Sequence, residues 1–426
     1  MKFFKILLLT LFSFNCQAQD KIILLDTINS NSFKEDLLKF YKEKYNTFNS
    51  NINIAGQTKL LKTIYLEYQE EFLDKIKNDN FISDERLNYY AQKLLFEILD
   101  VNKLDKKKYK ILISRDSEIN AYNSGDGTIV INFGLFTALE NEDELVFVLC
   151  HEIGHQELQH VKREVDNFVK QNTSEEIAKE TNDIKKLKYN KSKAANNLLL
   201  KLNYKNYYQR RKKETEADSI GFHYYKKTGR NLSNSISLLS KLNDSNKEKD
   251  SITVEEYKEL FETGTYKLKN KYFEVEKSIF NKYDYKPAYE IDSLRTHPDC
   301  LTRIKKIEKF ISNQNTQSSD SEKFLEYKKY ANYQNLYNLY LSKNFGLSLY
   351  QTLKEYKQYK DNSFYKDLIF LNLVELQKAK NNQTLSKYVP QTDNVYNSQS
   401  LNRFINLINN LKTNDLEIII KKFRWN

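Results

Sequence analysis

The sequence predicts an α+β fold that is predominantly α-helical, with a small β-sheet and a C-terminal helical region. Three observations predict it. Apolar residues recur at helical spacing along most of the chain. Two short β-branched runs, Tyr109–Ser114 (YKILIS) and Thr128–Asn132 (TIVIN), interrupt that pattern with a turn-rich stretch between them. Glycine and proline are scarce, 9 and 3 in 426 residues, so long stretches carry no helix breaker.

The first 18 residues stand apart. Lys2 and Lys5 precede the apolar run Ile6–Phe14, and Cys16-Gln17-Ala18 follows it. A basic start, a short apolar stretch and small residues at −3 and −1 read as an export signal cleaved after Ala18. Lipidation at Cys16 is the alternative, although Phe14 and Asn15 are not the small residues that usually precede a lipidated cysteine. No later segment reaches the ~18 apolar residues needed to span a bilayer. The expected location is therefore the periplasm or envelope of a bacterium, with the mature chain soluble or held only by a lipid.

Residues 30–105 carry helical periodicity, as in Phe33, Leu37, Leu38 and Tyr41, then Leu87, Tyr90, Leu94, Leu95 and Ile98. The two β-branched runs follow, as strands of a small sheet around the turn-rich segment 120–127 (NAYNSGDG). Glu140-Asn141-Glu142-Asp143 then opens a helix with acids in its first turn, where the helix dipole favours them. Segment 161–213 is polar and free of Gly and Pro, and reads as one or two solvated helices. A further helix is expected over 214–228, ending at Gly229. Segment 312–321 (SNQNTQSSDS) has linker composition. Helical stretches near 322–342, 345–360 and 363–379 follow it, with a spacing like that of tetratricopeptide hairpins but no convincing period.

The net charge of +11 invites a nucleic-acid reading. Without Lys2 and Lys5 it becomes +9, and segment 161–213 alone holds 15 Lys/Arg against 6 Asp/Glu. The rest of the mature chain is neutral, so no protein-wide basic surface exists and nucleic acid is not an expected partner. A solvated helical face is the plain account of the insert, and steering of acidic or membrane-associated substrates the sharper one. Beyond the leader only Cys150 and Cys300 remain. Two separate buried thiols are expected, although export permits a disulfide.

The chemistry concentrates at His151-Glu152-Ile153-Gly154-His155, an HExxH motif inside the helix that begins near Glu142. Residues four apart share a helix face, so both imidazoles can bind one Zn²⁺. Glu152 can then reach the attacking water as general base. A catalytic zinc wants three protein ligands and an open position. Glu214-Thr215-Glu216-Ala217-Asp218 offers the third, and spacing alone leaves Glu214 and Glu216 both open. Asp218 suits the role of accepting the other N–H of a ligand histidine. His160 is misplaced for an HExxHxxGxxH pattern and reads as a partly exposed helix histidine. His223 reads as structural. His297, before Pro298, reads as a loop residue, either at the surface or near the metal, with Arg303 a turn into the next helix.

Asn120-Ala121, Thr128–Gly134, Glu144–His155, Glu214–Gly221 and Thr296–Ile304 together resemble the HtpX-like and CAAX-prenyl-protease superfamily of zinc endopeptidases, peptidase family M48. The resemblance covers about residues 85–310. It implies a zincin-like core, one Zn²⁺ held by His151, His155 and Glu214, and Glu152 as base. It also implies His297 near the metal, where it could donate to an oxyanion, and Arg303, like Asp218, is expected behind the ligands. Asn120 and Ala121 are implied at the edge that pairs with extended substrate. Cys150 stands where a small residue, often Ala, is usual. The lack of a spanning segment in the mature chain points to the soluble, exported branch rather than to CAAX processing.

The expected organisation is a signal peptide at 1–18, a helical segment at 19–84, a metallopeptidase domain at 85–311 with the insert 161–213, a linker at 312–321, and helices at 322–426. The expected function is zinc-dependent hydrolysis of unfolded or damaged envelope proteins. The competing expectation is a non-catalytic scaffold or chaperone that binds partner proteins through 322–426.

Overall fold

The structure is a computed structural model that describes residues 25, 31–51, 58–187, 191–244, 252–274, 300–311, 320–393 and 397–424. The expected export signal, His297 and residues 312–319 of the expected linker therefore lie outside the described residues.

Two long helices, α1 (Asn31–Asn51) and α2 (Thr58–Lys77), come first, followed by α3 (Glu85–Val101). The sheet consists of β1 (Lys110–Ser114), β2 (Ala121–Asn123) and β3 (Thr128–Asn132) in the order β1-β3-β2. Strand β1 runs parallel to β3, pairing Ile111 with Ile129, and β2 runs antiparallel, pairing Ala121 with Ile131. The sequence reading took 120–127 as a turn joining two strands. Its first half forms β2 at the sheet edge instead.

The alternation of side chains explains the layers. Ile111, Ile113, Ile129 and Ile131 face a core shared with α3 and α5 (Glu142–Glu157). Leu112 and Val130 point the other way, onto Tyr41, Phe72 and Ile76 of α1 and α2. The N-terminal helices thus form the second cover of the sheet, and every residue of β3 is buried.

After β3 come the single turn α4 (Leu135–Ala138), then α5, α6 (His160–Asn172) and α7 (Glu175–Lys186). Next is α8, one continuous helix of 37 residues from Lys191 to Lys227. The basic insert is therefore α6, α7 and the first half of α8, and the expected helix at 214–228 is the second half of α8. Helices α9 (Ser233–Asp244), α10 (Val254–Phe261) and α11 (Cys300–Ile307) follow. The C-terminal region is α12 (Glu322–Leu341), α13 (Phe345–Gln358), α14 (Ser363–Asn381), α15 (Gln399–Asn410) and α16 (Thr413–Phe423).

The cores divide differently from the expected partition at 312–321. Phe324, Tyr327 and Ala331 of α12 belong to the core around α3 and α5. Conversely Ile252, Tyr257, Phe261 and Tyr272 lie in a second core with Leu349, Leu373, Phe404 and Phe423. Each side of the expected linker contributes apolar side chains to the other.

Candidate metal centre

Helix α5 is capped by Asn141, whose side chain accepts from Glu144 N at 3.0 Å. Its first-turn acids are not the solvated residues their charge suggests. Glu142, Asp143 and Glu144 are all buried. Arg230 holds Glu142 at 3.0 Å and Asp143 at 2.7 Å, and Lys241 holds Glu144 at 2.6 Å. Buried charge is tolerated because each carboxylate has a cation and further hydrogen-bond donors.

Two turns further on, α5 crosses α8, and small residues set the separation. A Cβ on Gly154 would stand 2.8 Å from Ala217 O, and one on Gly221 would stand 2.8 Å from His151 Cα. Only glycine permits that approach, which brings the carboxylate of Glu214 to both histidines. His151 Nε2 and His155 Nε2 are 3.0 Å apart. One Glu214 oxygen lies 3.5 Å from His151 Nε2 and the other lies 3.5 Å from His155 Nε2. Ligands at ~2.0–2.1 Å around a tetrahedral ion stand roughly 3.3 Å apart, so the spacing and the donor set fit a metal such as zinc. These three residues are the group among the described residues that could hold a metal ion.

The surroundings favour positive charge. His151 Nδ1 lies 2.9 Å from Asp218 Oδ1. Arg303 donates to both Asp218 oxygens, from Nε at 2.6 Å and from Nη2 at 2.7 Å. Burial works against a charged His151, yet Asp218 and Glu214 outweigh it and lift its pKa to about 10. Burial would raise the Asp218 carboxyl, but Arg303 and then His151 hold it at about 2.

Arg303 is expected behind the metal site, where it could also assist His297 at an oxyanion. Its buried guanidinium is tied to Asp218 and to Glu214, 3.1 Å from Nη1. It thus contacts both Glu214 of the candidate metal group and Asp218 behind His151.

Glu152 is buried next to His151 on the inner wall of a cleft. Desolvation pushes its carboxyl up to about 7, against a lowering by His151 and by a backbone hydrogen bond from Asn123. A carboxylate that titrates there is well matched to proton transfer near neutrality. Asn120 and Ala121 line the same cleft, together with Leu135, Val148, Leu238, Leu242 and Arg303. Among the described residues β2 pairs with β3 alone and so lies at the edge of the sheet, where the Asn123 backbone N–H donates to Glu152.

The model of peptidase family M48 matches residues 85–311, which is more than half of the chain. The chain belongs to peptidase family M48. A putative β-barrel assembly-enhancing protease of Vibrio cholerae serotype O1 is 28% identical over 114 residues. That alignment covers 26% of this chain and 23% of the relative, so the chain spans under a quarter of the curated relative it matches.

All of the residues gathered at the centre fall inside the M48 match. His160, read as partly exposed, is instead 2% exposed and lies against His155, with Nδ1 to Nδ1 at 2.9 Å. The chain makes a left-handed turn at Gln159 (φ 52°), which folds His160 back beneath the centre, and nothing in the residue type announces it. Glu216, weighed as a ligand, reaches His160 at 3.2 Å and Arg163 at 3.0 Å instead. His223 is exposed on α8, against the ring of Tyr224. Cys150 and Cys300 are buried free thiols.

Proposed function

We propose that this M48 chain is a zinc-dependent metalloendopeptidase of the bacterial envelope. The observation that carries the reading is the approach of His151, His155 and Glu214 to one point, with the buried Glu152 beside them. When bound there, zinc supplies Lewis acidity to a water molecule and to the scissile carbonyl. His151, His155 and Glu214 hold it. Glu152 accepts the water's proton and later returns it to the leaving amine. Asn120 and Ala121, which line the cleft at the edge of the sheet, align an extended peptide across it. His297 donates to the oxyanion. An extended substrate requires an unfolded segment, which agrees with damaged or unassembled polypeptides as substrates.

Envelope location rests on the export signal read at 1–18. Among the described residues no helix is long and apolar enough to cross a membrane. The name of the Vibrio cholerae relative suggests β-barrel proteins during assembly as one client class. The helices at 322–426 would present such clients or partner proteins to the cleft.

The test is cleavage of an unstructured protein by the zinc-loaded chain and by Glu152→Gln, with zinc content measured in both. Cleavage by wild type alone, at one zinc per chain in each, is expected. A wild type that binds zinc and cleaves no unstructured protein would sink the peptidase reading.

A further inference from the structure

Two histidines hold the proposed metal, and each has its second ring nitrogen in a different environment. His151 Nδ1 faces Asp218, which Arg303 clamps. His155 Nδ1 faces another histidine, His160, at 2.9 Å. The far nitrogen of that ring, Nε2, lies 3.2 Å from Glu216 Oε2, and Arg163 Nη1 lies 3.0 Å from the same oxygen.

The protons on this chain of groups can be assigned. Two Nδ1 atoms in contact need one hydrogen between them. A carboxylate accepts, so His160 Nε2 carries an N–H toward Glu216. A neutral His160 then has a bare Nδ1, which accepts from His155 Nδ1–H. That leaves the lone pair of His155 on Nε2, the atom that faces His151 and Glu214. The outer carboxylate thus selects, through one intervening ring, the tautomer that ligation needs.

We infer that His160 and Glu216 form a positioning relay that fixes the tautomer and the ring orientation of His155 for the metal. The inference rests on the metal reading proposed above. Neither residue touches the metal or the reacting atoms, so both are positioning residues.

The backbone is built for this contact. On an uninterrupted helix, residue 160 would lie about 140° around the axis from His155, pointing elsewhere. Helix α5 instead ends at Glu157 with Leu158 as its C-cap, Gln159 adopts its left-handed conformation, and α6 restarts at His160. A non-glycine residue held there costs energy that the surrounding structure must offset. Phase along α8 accounts for the other end. Glu214 and Asp218 are four apart and share a face, while Glu216 projects roughly opposite, toward α6. The three acids of Glu214–Asp218 therefore act at three places: on the metal, behind His155 through His160, and behind His151.

The experiment measures the zinc dissociation constant by chelator competition, with thermal melts in excess chelator as the control for folding. The proteins are full-length wild type, His160→Leu, His160→Asn and Glu216→Ala. Removal of such a partner typically weakens metal binding 10–100-fold. That loss is expected for His160→Leu. His160→Asn, whose side-chain oxygen can still accept from His155, is expected to keep most of the affinity. Glu216→Ala, at a position 28% exposed and tolerant of change, is expected to weaken binding by a smaller factor. Equal zinc affinity in His160→Leu and wild type overturns the relay, as does equal loss in the Leu and Asn variants. If His160→Leu does not fold, unchanged affinity in Glu216→Ala overturns it. A wild type that binds no zinc removes the metal reading itself, a separate failure seen before any variant is compared.

Discussion

Asp218→Asn probes the opposite side of the same centre. The substitution keeps the shape of the side chain and removes its charge. Asp218 receives two hydrogen bonds from Arg303, at 2.6 and 2.7 Å, and lies 2.9 Å from His151 Nδ1. Its carboxyl is held at about 2, against an ordinary value near 3.8. The depression means that its interactions stabilise the fold above the unfolded value and fade as pH falls toward 2, so their whole contribution is present at pH 7. It corresponds to roughly 2 kcal/mol. Breaking a buried pair also strands the partner charge, which raises typical costs to about 3–5 kcal/mol. Here Glu214 still pairs with Arg303 at 3.1 Å, so the lower end is expected. For the metal, losing the carboxylate behind His151 should weaken zinc binding by about 10–100-fold. Chelator competition gives the affinity, and melts at pH 7 with excess chelator give the stability. A folded Asp218→Asn protein with wild-type zinc affinity refutes the reasoning.

Other expected outcomes follow from the same geometry. Gly221→Ala places a Cβ 2.8 Å from His151 Cα, forcing α5 and α8 apart. It should cost about 1–3 kcal/mol and deplete bound zinc, read by melting and metal analysis. Glu152 must be ionised to act as a base, so kcat/KM should fall tenfold per pH unit on the acid side. With the carboxyl pushed up to about 7 by burial, and a bound cation pulling it down, the midpoint should lie at or below about 7. A pH–rate profile with its acid limb centred well above that value contradicts the assignment. Truncation after residue 321 should aggregate on gel filtration rather than leave a compact peptidase. It strips the partners of Tyr257 and Phe261 and removes Phe324 and Tyr327 from the main core.

The legible parts of this chain are those in which a short sequence interval fixes a geometry. HExxH places two imidazoles on one face because 151 and 155 are one turn apart. Glu214 and Asp218 share a face for the same reason, and helical phase turns Glu216 away. The β-branched runs at 110–114 and 128–132 form strands as their composition suggests. The illegible parts depend on contacts distant in sequence or on backbone states that residue type does not mark. Gln159 is neither Gly nor Asn, so a helix break there leaves no trace, and His160 reads as exposed. Segment 252–274 precedes the polar stretch 312–321, so composition assigns it to the peptidase, while its aromatic side chains pack with helices 100 residues later. Strand β2 hides in a segment whose Gly, Asn, Ser and Asp content signals only a turn.

These hidden contacts converge on one element. Helix α5 is held at its start by a buried charge cluster in which Arg230, Lys241 and Tyr90 meet Glu142, Asp143 and Glu144. Asp320 and Ser321, at the end of the expected linker, join that cluster: Asp320 accepts from Glu142 N at 2.7 Å, and Ser321 donates to the Glu142 side chain. The middle of α5 is pressed to α8 through Gly154 and Gly221, and its end is folded under by Gln159. A helix fixed at three points holds His151, Glu152 and His155 in one arrangement with little left to reorganise. Such preorganisation is what the proposed metal centre requires if donor separations of 3.0 to 3.5 Å are to persist. The cluster at the start of α5 also makes the N-terminal end of α12 part of that clamp. A change in α12 therefore acts on the helix that carries His151, Glu152 and His155 rather than on a detached module.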